Sequence, residues 1–226
     1  YGQLEEALVY YEEALTLYRE GARDISAAID AGRKAGRVRA RRGDYAGAVR
    51  QIEEGLRLAE QIEDRYMVAL CHEDLGRVQL AAGHHAPAKE SFLEAVARYE
   101  QTGNRRERAR AQTYLGQADY LQGNRELAAE SYHEALRVYR SIEDYTSEAA
   151  LCFGLGRLEL ERQNLEEAGK YLKRSIALTE QLRENAASKD LRSSFLASVH
   201  DRYETYVEWL MQLHAALQQS AIAFIG

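Results

Sequence analysis

Arg37, Arg77, Gln117 and Arg157 recur every 40 residues, each directly after a glycine. An arginine fork donates two parallel hydrogen bonds to a carboxylate, and glutamine adds a further long donor, so the series suits recognition of an acidic segment. Around the first station Arg33, Lys34, Arg37, Arg39, Arg41 and Arg42 form a basic cluster with only Asp30 and Asp44 close in sequence. That end is the expected contact for an acidic partner. The competing expectation is that the arginines pair with neighbouring acids, as Arg77 with Glu73 one turn back, and merely solvate a helix face.

Groups that could catalyse are scattered. Cys71 and His72 are sequence neighbours, so on a helix they point about 100° apart and form no dyad. His84 and His85 offer two metal ligands without a third. The pairs Glu5/Glu6, Glu12/Glu13 and Glu166/Glu167 read as solvated helix faces, because general acid–base chemistry needs a pocket between its groups. The sequence contains no P-loop, no dinucleotide fingerprint and no paired CxxC. The expectation is a chain with no catalytic residue, no metal and no cofactor. It is not read as an enzyme.

The elements that position these residues follow from an internal repeat. Gly36, Gly76, Gly116 and Gly156 lie 40 residues apart. Seven residues on come Gly43, Gly83 and Gly123, with Gln163 breaking the series. Twelve on come Ala48, Ala88, Ala128 and Ala168, and nineteen on come the small residues Gly55, Ala95, Ala135 and Ser175. A glycine inside a helix costs about 1 kcal/mol relative to alanine, so its recurrence calls for a partner helix that approaches too closely for a side chain. The second glycine suits a left-handed turn that ends the helix. Asp44 and Asn124 then start the next one, and Pro87 fits its opening turn.

Composition agrees with a helical, ordered chain: 46% apolar and 29% charged residues accompany a single proline. A net charge of −6 disfavours a general nucleic-acid footprint. No stretch approaches the roughly 20 apolar residues of a membrane helix. Cys71 and Cys152 fall two repeats apart, beyond disulfide reach, and read as small buried hydrophobes in a reducing compartment, here the cytoplasm. The chain starts at Tyr1, inside a repeat and without a signal peptide, as expected for a fragment of a longer protein.

The spacing of Leu-Gly, a glycine seven on, alanine twelve on, an aromatic or aliphatic residue sixteen on (Ile52, Phe92, Tyr132, Leu172) and a small residue nineteen on resembles the tetratricopeptide repeat (TPR). The usual unit is about 34 residues; here each helix would gain about a turn, as in a longer variant of the family. The resemblance implies an all-α, right-handed α-α superhelix (a TPR solenoid) of antiparallel helical hairpins over residues 1–184. It would hold a half repeat at 1–22 and full repeats at about 24–63, 64–103, 104–143 and 144–184. It further implies that the first helices line a concave groove, with contacts six, three and two positions before the repeat glycine and one, four and five after it. Carried onto this chain, those offsets give Asp30, Arg33, Lys34, Arg37, Ala40 and Arg41 in the first full repeat and Leu70, Glu73, Asp74, Arg77, Leu80 and Ala81 in the second. The third gives Arg110, Thr113, Tyr114, Gln117, Tyr120 and Leu121, and the fourth Ala150, Phe153, Gly154, Arg157, Leu160 and Glu161. Selected from these as ligand contacts are Arg33, Arg37, Arg41, Arg77, Arg110, Tyr114, Gln117, Tyr120, Phe153 and Arg157. The aromatic rings would serve as flat anchors. Arg33 and Arg37 stand at two places where the family's carboxylate clamp has lysine or asparagine, so that clamp is not reproduced. The expected partner is a protein or peptide, with no nucleic acid and no membrane. A homo-oligomer through terminal repeats, a purely structural array, is an alternative.

After Asn185 the register fails, since Leu196 stands where the next glycine belongs. Leu191, Phe195, Val199, Tyr203, Tyr206, Leu210, Leu213 and Leu217 recur at three or four residues, predicting one long amphipathic helix at 185–217 that caps the array, and a tail at 218–226. The run Leu191-Arg192-Ser193-Ser194-Phe195-Leu196-Ala197, with Tyr203, Tyr206 and Leu210-Met211-Gln212-Leu213-His214, resembles the connector between TPR arrays and CHAT domains, caspase-like modules of large bacterial proteins. It implies an alternative role as sensor or regulatory arm of a protease located downstream.

Overall fold

The computed structural model describes residues 2–17, 24–184 and 199–225. Among them all regular structure is helical: α1 (Gly2–Leu17), α2 (Ile25–Arg41), α3 (Tyr45–Gln61), α4 (Arg65–Ala81), α5 (His85–Thr102), α6 (Arg105–Leu121), α7 (Arg125–Ser141), α8 (Tyr145–Glu161), α9 (Leu165–Glu184) and α10 (His200–Ile225). Helices α2 to α9 begin every twenty residues.

Local chemistry sets these boundaries. The side chains of Asp24, Asp44, Asp64 and Asp144 accept the backbone N–H of Ala27, Gly47, Met67 and Ser147, at 3.0, 2.8, 3.0 and 3.1 Å, each satisfying a donor that the helix start leaves open. Gly43, Gly83, Gly103 and Gly123 end their helices at φ between 72° and 87°. Glu63, Glu143 and Gln163 occupy the same left-handed corner at φ 55°, 56° and 61° without being glycine. The break in the glycine series at Gln163 is therefore a change of residue and not of backbone.

The helix-interior glycines are slots for the residue sixteen positions on. A Cβ on Gly76 would stand 2.7 Å from the Phe92 ring, and one on Gly36 or Gly156 would strike Ile52 or Leu172. Close approach, not flexibility, explains them.

The chain divides within α7 into two compact units, 1–131 and 132–226. In the first, α1 to α6 pack successively, and α4 also touches α2 on one side and α6 on the other, making a layer. Its core runs from Ile29, Ile52 and Cys71 through Phe92 to Tyr99 and Ala111. In the second, α8 pairs with α9 and α10 lies on α9. Trp209 makes that contact: it packs on Ala168 and Leu172, leaves no room for a Cβ at Gly169, and donates from Nε1 to the Leu165 carbonyl at 2.8 Å. Both cysteines are free and buried, and burial pushes the Cys71 thiol up to about 12 and the Cys152 thiol to about 11.

Two expectations about the end of the chain need correction. Of the expected stripe, Val199 is buried and Tyr206 and Leu213 pack with Trp209, but Leu210 and Leu217 are 42% and 61% exposed. Trp209, outside the stripe, is the most deeply buried residue of α10 among those described, at 4%. The tail expected at 218–226 is helical through Ile225, because Gln218 to Ala223 contain no proline or glycine to stop it. Leu191 to Ala197, which carry the connector resemblance, lie outside the described residues.

Glu148, buried at the start of α8, receives Arg140 at 3.0 Å and Arg174 through two bonds at 3.0 and 3.2 Å. Burial opposes its ionisation, but the hydrogen bonds from Arg174 and Arg140 outweigh it and hold the carboxyl below its ordinary value. A depressed carboxyl contributes stability that is present above the ordinary range and lost as pH falls through the folded value. Glu148→Gln should therefore cost about 1–2 kcal/mol at pH 7, reduced because both arginines reach solvent. In denaturant titrations the gap from wild type should close as pH falls below about 4. A left-handed side-chain residue costs about 1 kcal/mol or more relative to glycine. Glu63→Gly should thus raise the thermal midpoint by a few degrees, less what the added freedom of the unfolded chain takes back.

Candidate peptide-binding face

Within the first unit the α2, α4 and α6 layer carries most of the selected residues, and two buried carboxylates organise it. Asp74 is 2% exposed. Its Oδ2 accepts from Arg33 Nη1, and Arg33 also donates to Asp30 at 3.0 Å. Lys34 reaches the second oxygen of Asp30 at 2.6 Å. Arg37 Nε and Arg77 Nη1 lie 3.8 and 3.7 Å from Asp74 Oδ1, close enough for attraction and too far for a hydrogen bond. Burial raises the Asp74 carboxyl against the pull of Arg33, Arg37 and Arg77. For Arg33 the order is reversed: burial disfavours its charge, yet Asp74 and Asp30 raise it. The ionised pair prevails, because arginine does not give up its proton in a protein and a neutral Asp74 would strand a buried cation.

The neighbouring carboxylate, Glu73, is equally buried. It accepts Arg110 through Nε and Nη2 at 2.7 and 2.8 Å, and Tyr99 OH at 2.9 Å. Burial and the adjoining Glu73 charge push the Tyr99 hydroxyl upward. Arg110 is raised as well: burial opposes its charge, and the hydrogen bonds it donates to Glu73 overcome it. Arg77 stands 5.2 Å from the centre of the Tyr114 ring, which stacks on Phe92 at 5.5 Å and 15°.

The selected residues thus separate into distinct roles. Arg33 is buried and ties α2 to α4, so it is not a contact for a ligand. Arg110 is occupied by Glu73. The side chains of Arg37 and Arg77 are 44% and 34% exposed and make no hydrogen bond among the described residues. Arg41 and Gln117 are exposed, and Tyr120 is half-buried with Arg125 over its ring at 5.9 Å. Arg77 pairs with Asp74, not with Glu73 as neighbouring-acid pairing suggests. The basic cluster is also less available than its sequence implies. Arg39 pairs with Glu12 and, at 3.3 Å, with Asp44, and Arg42 pairs with Glu5 at 2.6 Å. Glu12 and Glu5 sit on α1, 27 and 37 residues away in sequence, where local charge counting does not reach.

In the second unit Phe153 and Arg157 meet a different environment. The Arg157 guanidinium lies 5.8 Å from the Phe153 ring centre. Both line a cleft of about 530 Å³ with Leu160, Glu161, Asp201, Glu204, Thr205, Glu208 and Gln212. Four carboxylates against one arginine make this an acidic wall, contrary to its expected place among donors for acidic segments.

Asp30, Glu73 and Asp74 organise the face; the groove offsets place them there, but they were not among the ten selected contacts. A signal for them exists: Arg33-Lys34 and Glu73-Asp74 stand 40 residues apart at the same register. Stacked repeats place equal registers side by side, so opposite charges there mark a bridge. Among the described residues no three His, Cys, Asp or Glu converge as a metal set, and no helix is long and apolar enough to cross a membrane.

The architecture is that of a helical-repeat protein of the tetratricopeptide type. Residues 27–101 match the tetratricopeptide repeat family model. Among solved structures the chain is similar to BtubC (BKLC) from P. vanneervenii, at 17% identity and a TM-score of 0.73, covering 97% of this chain and 92% of that one. It is similar to a Signal Transduction ATPase with Numerous Domains (STAND) protein with a tetratricopeptide repeat sensor from Pyrococcus horikoshii, at 15% identity and a TM-score of 0.69, over 95% of this chain and 35% of that one. It is also similar to a Rap protein complexed with competence and sporulation factor, at 17% identity and a TM-score of 0.64, over 92% and 61%. Identities this low speak for the fold alone. A search among curated proteins finds no significant match.

The Glu73 bridge separates two contributions. Arg110→Met strands a buried carboxylate and should cost about 2–3 kcal/mol, less than a fully buried pair because Arg110 is partly solvated. Tyr99→Phe removes one neutral donor to a charged acceptor and should cost about 1–2 kcal/mol. Denaturant midpoints at pH 7 check the order, which reverses if Tyr99 and not Arg110 carries the charge compensation.

Proposed function

We propose that this chain is a protein-interaction module whose first unit receives an acidic, aromatic-containing partner segment on the α2, α4 and α6 layer. One observation carries the reading. Arg37 is exposed and Arg77 half-buried, and both stand about one oxygen of buried Asp74 beyond hydrogen-bond distance and keep their donors available. Tyr114, braced by Phe92, offers a flat surface beside them. The similar Rap protein, complexed with competence and sporulation factor, supports the reading by analogy of fold.

A second reading is a sensor or regulatory arm for a caspase-like CHAT module. It draws on the connector resemblance at residues 191–214 and on the tetratricopeptide repeat sensor of the similar STAND protein. A histidine and cysteine pair in an αβ domain encoded after Gly226 would establish it, and a different domain there would remove it.

For the first reading, the test is a fluorescence-anisotropy titration with a labelled peptide of alternating glutamate and tyrosine at low salt. Arg37→Glu combined with Arg77→Glu should weaken binding at least roughly tenfold while circular dichroism keeps its helical signal. Arg37→Gln with Arg77→Gln should weaken it less, in the same direction, and added salt should weaken wild type. Unchanged affinity in both double variants would sink the assignment.

A further inference from the structure

We infer that the Arg37 and Arg77 pair is a clamp for a single doubly charged anion, a phosphomonoester on the partner segment, in place of a lone carboxylate. This rests on the reading of the first unit as a module for acidic segments. The argument begins with the charges fixed around Asp74. Four cations (Arg33, Lys34, Arg37 and Arg77) surround two carboxylates, Asp30 and Asp74. Glu73 adds nothing to that balance, since Arg110 neutralises it. The cluster therefore carries a surplus of two positive charges. A carboxylate offsets half of it, whereas a phosphomonoester carries about −1.5 to −2 at pH 7 and offsets nearly all.

Geometry points the same way. Arg37 Nε and Arg77 Nη1 both lie within 4 Å of Asp74 Oδ1, so they stand within about 8 Å of each other. A single anion that places different oxygens toward two guanidinium groups can bridge that separation. A phosphoryl group has three acceptor oxygens in a tetrahedral array, enough for two forks; a carboxylate has two in a plane, which suit one. Asp74 does not satisfy the pair, because both donors stand beyond hydrogen-bond distance of Oδ1 and its other oxygen accepts from Arg33. Arg41, exposed one turn after Arg37, extends the positive surface and pairs with no acid among the described residues. Tyr114 under Arg77 holds one member of the pair in place.

The experiment follows the side-chain Nε–Hε signals of Arg37, Arg77, Arg33 and Arg157 by ¹H–¹⁵N NMR. Three blocked pentapeptides of one tyrosine-containing sequence differ at the central residue, which is phosphoserine, glutamate or serine. Inorganic phosphate is a fourth probe. The phosphoserine peptide should move the Arg37 and Arg77 signals at concentrations at least tenfold below the glutamate peptide, the serine peptide should not move them, and Arg33 and Arg157 should stay still. Inorganic phosphate should act at the same pair but more weakly than the phosphopeptide. Arg77→Gln should bring the phosphoserine and glutamate titrations together, with helical content unchanged. If glutamate and phosphoserine titrate alike in wild type, the phosphate assignment is overturned and the acidic-segment reading stands. If neither peptide moves these signals, both are overturned. If inorganic phosphate matches the phosphopeptide, the partner segment is overturned as the source of the anion.

Discussion

A carboxylate removed from water must be either neutral or surrounded by cations, and Asp74 and Glu73 sit side by side under that constraint. Each solves it by drawing arginines from helices other than its own: Arg33 and Arg37 from α2, Arg110 from α6, and Tyr99 from α5 as an added donor. The consequence is that the layer's basic residues are arranged around internal negative charge. A chain with a net charge of −6 can then present a positive surface locally.

The repeat was legible because glycine and aspartate do work that few residues can replace. Gly36, Gly76 and Gly156 leave room for Ile52, Phe92 and Leu172, and Asp24, Asp44, Asp64 and Asp144 close helix starts. Turn geometry was less legible. Glu63, Glu143 and Gln163 adopt the left-handed corner with ordinary side chains, which the surrounding helices impose and composition does not announce. Partner choice among the charges was the least legible. Arg42 with Glu5 and Arg39 with Glu12 depend on how α1 packs against α2, and neighbours in sequence say nothing about that.

The end of the chain shows a related limit. A three-to-four spacing of apolar residues identifies a helix but leaves open which edge of the stripe is buried. On α10 the choice falls to Trp209, whose large ring fits over Gly169, and Leu210 beside it turns outward. The cleft that α10 forms with α8 brings Asp201, Glu204 and Glu208 opposite Arg157, so the last station of the donor series faces carboxylates of its own chain. A shared register along a sequence does not guarantee a shared electrostatic environment.

The stacking of Arg77 on Tyr114, and of Tyr114 on Phe92, bears on how binding would be divided between enthalpy and entropy. A free arginine side chain holds about 2 kcal/mol of rotamer entropy, which a flexible surface residue surrenders when it grips a ligand. Here the ring beneath and the buried charge beside it confine the guanidinium before any partner arrives, so much of that loss falls on folding. A surface organised in this way recognises through fixed spacing more than through adaptation. Its selectivity would then reside in how slowly a well-matched partner leaves.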